Sequence, residues 1–136
     1  MKKSLALPLA VLFVCSLAAA LKGEGPYYIH CMEGKDRTGF VCLLLEALAG
    51  ASYEEMQRDY MLTYENYFHI TAAGTPEKYN AVVDLYFVPF LEFLHGSEDI
   101  EALKAADYTE DAAAYLKSGG MTEAEIAALI SLITAE

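Results

Sequence analysis

The run His30-Cys31-Met32-Glu33-Gly34-Lys35-Asp36-Arg37-Thr38-Gly39 constrains the fold most, because the hydrophobic period changes across it. Upstream, the breaker cluster Gly23-Glu24-Gly25-Pro26 is followed by residues 27–31, which are short, aromatic and β-branched. They read as one buried strand. Downstream, Phe40, Val41, Leu44, Leu45 and Leu48 recur at helical spacing until Gly50, a residue suited to a left-handed helix end. The expected unit is therefore strand, tight loop, helix, with the helix beginning at Arg37 or Thr38.

In such a loop the backbone N–H groups converge at a helix N-terminus, which makes an anion site. Gly34 and Gly39 permit loop geometry and a close approach that side chains would hinder. A thiol at the rim of this positive field loses its proton more readily, because helix dipole, amides and Arg37 all favour thiolate. Cys31 is thus a candidate nucleophile at neutral pH. Six residues on, Arg37 can offer its planar fork to two phosphate oxygens at once. The Thr38 hydroxyl can donate to the Cys31 sulfur when that sulfur leaves. Met32, Glu33, Gly34, Lys35, Asp36 and Arg37 form the candidate phosphate-binding wall, with His30 directly before the nucleophile. Gly34-Lys35 does not belong to a nucleotide-binding loop, because Asp36 stands where that motif requires a hydroxyl.

The rest of the chain reads as helical. Ser52 with Glu55 forms a capping box opening a helix that carries Met56, Tyr60 and Tyr64 on one face. Thr75 with Pro76 starts another, running toward His95-Gly96 with a bend near Pro89. Thr109 and Thr122 are further cap candidates, the second with Glu125 as a capping box, and Ser118-Gly119-Gly120 separates the last two helices.

At 136 residues and 55% hydrophobic the chain has material for one domain and its core, and no second. Its 9 basic and 20 acidic residues give a net charge of -11, with the basic ones scattered. That excludes nucleic acid or an anionic membrane surface as the main partner. Cys15, Cys31 and Cys42 form neither a paired framework nor a metal-ligand cluster, and Cys15 and Cys42 read as small buried hydrophobes. Residues 1–21 stand apart: Lys2 and Lys3 precede an uncharged apolar run closing in Ala18-Ala19-Ala20. This segment reads either as a secretory signal peptide, implying a secreted or membrane-associated protein, or as a buried first helix, implying a cytoplasmic one.

The loop resembles that of the protein tyrosine phosphatase superfamily, in its bacterial tyrosine and phosphoinositide phosphatase branch, which reads HCxxGKDRTG. The likeness continues through Gly39-Phe40-Val41-Cys42-Leu43-Leu44-Leu45, Asp59-Tyr60-Met61-Leu62-Thr63 and Tyr115-Leu116-Lys117-Ser118-Gly119-Gly120-Met121-Thr122, covering roughly residues 22 to 136. The resemblance implies that Cys31 attacks phosphorus, Arg37 holds the phosphate and Thr38 assists breakdown of a thiophosphate intermediate. It implies that His30 tunes the thiolate, the alternative being a core imidazole, and it implies no cofactor and no metal. Lys35 and Asp36 are the branch's own letters. Lys35 implies admission of phosphoinositides beside phosphorylated protein, and Asp36 implies a proton donor to the leaving oxygen or a simple partner for Lys35.

The same resemblance sets the expected fold class as α/β: the C-terminal part of a tyrosine-phosphatase-like fold, with one central strand, the phosphate-binding loop and a mainly helical remainder. The domain, residues 22–136, is then N-terminally truncated, since the family places several strands before the cysteine strand. Three functions follow: an active phosphatase, a phosphate-binding module without turnover, or a fragment of a longer phosphatase. A lone strand also leaves N–H and C=O groups unpaired, so the chain is expected to self-associate along that strand or to be marginally stable.

Overall fold

The computed structural model describes residues 28–135. The apolar segment 1–21 with Cys15, the breaker cluster and Tyr27 lie outside the described residues.

Every regular element among the described residues is helical. They are α1 (Arg37–Leu48), α2 (Tyr53–Phe68), α3 (Pro76–Val82) running through a π-helical turn (Val83–Phe87) into α4 (Val88–His95), α5 (Ile100–Ala105), α6 (Thr109–Ser118) and α7 (Glu123–Ile133). The expected α/β class with its central strand is overturned: residues 28–31 take no regular structure, and Tyr28 is 90% exposed. Aromatic and β-branched residues favour a strand only when a neighbouring strand pairs with them, and the described residues offer none. Residues 28–30 pair with no strand among the described residues, so the strand edge that was to seek a second copy is not formed there.

Local signals hold for the helix starts. Ser52 and Thr122 each accept from the amide three residues on, while Glu55 and Glu125 reach back, so both capping boxes are formed. Gly50, Gly96 and Gly120 follow helix ends at φ +82°, +81° and +104°, where a Cβ would be strained. Thr109 is not the cap of α6. Tyr108 holds that position, and Asp107 Oδ1 accepts from the Thr109 amide instead.

The bend near Pro89 takes a specific form. Pro89 has no N–H to give the Leu85 carbonyl and its ring crowds it, so the helix widens upstream into the π turn, with the Val88 amide bonding Val83 O. The turn presents Leu85 and Tyr86 outward while Val83 and Phe87 enter the core.

α1 is the central helix, packed between α2 and α6, with Val41, Leu43, Leu44, Ala47 and Leu48 buried. Aromatic rings fill the gap to the π turn and α4: Phe40 lies 5.3 Å from Phe90, and Tyr60 lies 5.7 Å from Phe87. Tyr108 is sealed in the core and its hydroxyl donates to Leu103 O at 2.6 Å, tying α6 to α5. These contacts hold the N-terminus of α1 in place.

Candidate functional site

The loop from His30 to Asp36 enters α1 directly, and Asp36 occupies the helix N-cap. Its carboxylate does not cap the helix, because Lys35 Nζ holds both of its oxygens at 3.2 and 3.0 Å. The first turn of α1 also lacks any acidic residue. Its amides are thereby left for another acceptor, and part of that role falls to sulfur.

Cys31 Sγ accepts from the Gly34 amide at 3.2 Å. Gly34 takes φ +77° to turn that N–H inward. The thiol is lowered to about 6. The Thr38 hydroxyl is the largest influence, burial opposes it, and the amides of Thr38, Gly34 and Glu33 add to the lowering. Hydrogen bonds to the charged form favour that form, so at neutral pH the group is mainly thiolate. Thr38 Oγ1 is shut off from solvent and makes no hydrogen bond of ordinary geometry with a described residue, which leaves its proton for the thiolate.

Gly39 makes the close approach of α1 to α2. A Cβ there would lie 2.9 Å from Tyr60 Cε2. Behind the loop lies a cavity of about 160 Å³, walled by Gly34, Thr38 and Gly39 on one side and by Cys42, Glu46, Asp59 and Tyr60 on the others. Burial raises the Cys42 thiol, so this cysteine is not a second nucleophile. Burial, then the hydrogen bond and charge of Asp59, push Glu46 up to about 8.

The expected site residues are only partly drawn together. Cys31, Glu33, Gly34 and Thr38 converge on the sulfur. Lys35 and Asp36 pair with one another, with Glu33 Oε2 3.5 Å from the same ammonium. Arg37, the first residue of α1, is exposed and makes no hydrogen bond or ion pair among the described residues. Met32 is exposed, and so is His30, whose ring lies 5.9 Å from that of Tyr28. His30 is therefore not a core imidazole.

Sequence reasoning missed the residues that other segments bring to the loop. Tyr60 and Tyr64 register in sequence as an apolar face, yet their hydroxyls are sealed from solvent and make no hydrogen bond of ordinary geometry with a described residue. Burial, with the adjacent Tyr64 hydroxyl, raises Tyr60 far above the usual phenol range. Tyr86, from the π turn, lies under Lys35, its ring centroid 5.5 Å from Nζ. Glu46, a single carboxyl inside an otherwise apolar helix, was the one signal that could have flagged the cavity.

A search of curated proteins and a search of solved structures each returned no match. A family model described as the tyrosine phosphatase family matches residues 12–135. That span runs through the loop and the seven α-helices of the described residues, so the chain belongs to the tyrosine phosphatase family.

Proposed function

We propose that this chain is a cysteine-dependent phosphatase acting on phosphotyrosine, with phosphoserine, phosphothreonine and phosphoinositide monoesters as further substrates of the same chemistry. Family membership supports phosphatase activity. The observation that carries the mechanism is the Cys31 sulfur held by the Gly34 amide, with its thiol lowered to about 6 beside the uncapped start of α1.

In the first step Cys31 Sγ forms a bond to phosphorus as the ester P–O bond breaks, and the departing oxygen takes up a proton. Asp36 is the proposed donor, a carboxyl carried by the loop itself and released when Lys35 turns toward phosphate. In the second step water attacks phosphorus and gives a proton back to the Asp36 carboxylate, the S–P bond breaks, and phosphate leaves with the thiolate restored. The Thr38 hydroxyl stabilises that thiolate as leaving group. Arg37 closes on two phosphate oxygens, and the loop amides take the charge that develops on the others.

Turnover of a chromogenic aryl phosphate tests this, with Cys31→Ser as control. The variant should fall to the uncatalysed level while still binding vanadate or phosphate, since the amides and Arg37 remain. Arg37→Lys should also be severely impaired, because an ammonium cannot make the two-pronged contact. Hydrolysis by Cys31→Ser at the wild-type rate would overturn the assignment. A second reading, anion binding without turnover, draws on the exposed Arg37, which pairs with no described residue. Vanadate binding by a wild-type protein that hydrolyses no aryl phosphate would select it.

A further inference from the structure

Tyr86 is the residue from outside the loop that meets the loop's ammonium. Lys35 Nζ lies 5.5 Å from its ring centroid, inside the range of a cation–π contact. The ring stacks on Tyr64, nearly parallel at 28° with centroids 6.3 Å apart, and Tyr64 is itself buried. It is presented by the π turn that Pro89 imposes, where one extra residue rotates the chain by about 100° relative to a regular helix. Tyr86 is still 44% exposed, so the core does not need it.

The groups around Lys35 compete in kind. Asp36 and Glu33 neutralise the ammonium, at 3.0 and 3.5 Å. Tyr86 holds it by an aromatic face, and a ring attracts a cation without cancelling its charge. An ammonium held only by the two carboxylates would be spent before a substrate arrived. One supported from beneath by a ring keeps donor capacity for a phosphate.

From this geometry we infer that Tyr86 is a positioning residue for anion binding: it holds Lys35 beside the loop in a state that can exchange Asp36 for a phosphate oxygen. The inference rests on the phosphatase reading above and names the residue that sets how strongly Lys35 serves it. Tyr86 itself touches no reacting atom. Removing the ring should weaken phosphate binding through Lys35 and through nothing else.

The test is a double-mutant cycle with inorganic phosphate binding to the full chain, together with aryl phosphate kinetics. Tyr86→Leu should weaken phosphate binding and raise KM roughly two- to fivefold, the worth of an exposed cation–π contact, with kcat nearly unchanged. Tyr86→Phe should restore wild-type values, because the ring face is kept. In a Lys35→Met background Tyr86→Leu should add no further loss. Proton NMR supplies a readout independent of catalysis: the Lys35 ε-methylene should be shifted upfield by the ring in the wild type and in Tyr86→Phe, and unshifted in Tyr86→Leu. An equal loss in both lysine backgrounds, no loss at all, or an absent ring shift would each overturn the inference. A ring shift in a wild-type chain that neither binds phosphate nor hydrolyses ester would bring down the phosphatase reading, and this inference with it.

Discussion

The Gly34 amide donates to Cys31 Sγ at 3.2 Å, across a backbone that only a residue at φ +77° can form. Gly34→Ala would strain that turn by about 1 kcal/mol or rotate the N–H away. The expected outcome is a higher thiol pKa and roughly tenfold slower aryl phosphate turnover. The pH dependence of iodoacetate labelling at Cys31 checks the first, and steady-state kinetics the second.

Thr38 gives the sharper pH test, since its hydroxyl is the largest influence lowering Cys31. Labelling of the wild type should be half-maximal near pH 6, and Thr38→Ala should move that midpoint toward the ordinary thiol value of about 8.5. A midpoint that stays in place would mean the hydroxyl does not reach the sulfur. Peroxide should inactivate the wild type reversibly through the same thiolate.

Gly39→Ala should lower both melting temperature and phosphate affinity. The added methyl would come within 2.9 Å of the Tyr60 ring, and that ring is wedged by Phe87 at 5.7 Å and Phe90 at 5.9 Å, so it cannot retreat freely. Overpacking of this kind costs about 1 to 3 kcal/mol. Tyr60→Leu in the same chain should recover part of the loss in thermal melts.

Glu46 predicts a slope in stability against pH. Its folded pKa of about 8 lies above the ordinary 4.5, so between those values the folded chain holds a proton the unfolded chain has given up. Stability from this group is therefore highest below about pH 4.5 and falls as pH rises toward 8. Glu46→Gln keeps a neutral group beside Asp59 and should flatten that slope. It should be more stable than the wild type at pH 9, on the order of 2 kcal/mol. Denaturant titrations at pH 5 and pH 9 measure the difference.

What could be read from sequence divides by range. Ser52 with Glu55 and Thr122 with Glu125 signal helix starts through bonds three residues long, and both form as expected. Thr38, Gly34 and Cys31 are equally local, so the cradle was legible from their spacing. The strand at residues 27–31 was not decidable this way, because a strand exists only through a partner that no local pattern supplies. The Asp107 turn, which displaces Thr109 from the cap of α6, required weighing two side chains for one amide. Tyr86 under Lys35 joins segments about fifty residues apart, and nothing in either stretch announces it.

Among the described residues, Cys31 is moored from one side. Upstream, residues 28–30 are exposed coil, whereas downstream the sulfur is tied to Gly34 and the chain runs into the buried Phe40 and Val41 of α1. Amide hydrogen exchange should follow that asymmetry, fast at residues 28–30 and slow within α1. An anion seated in the loop becomes the second mooring. Its arrival should lengthen the protection of the Glu33 and Gly34 amides and leave α2 as it was, so the substrate finishes an anchorage that the described residues only half provide.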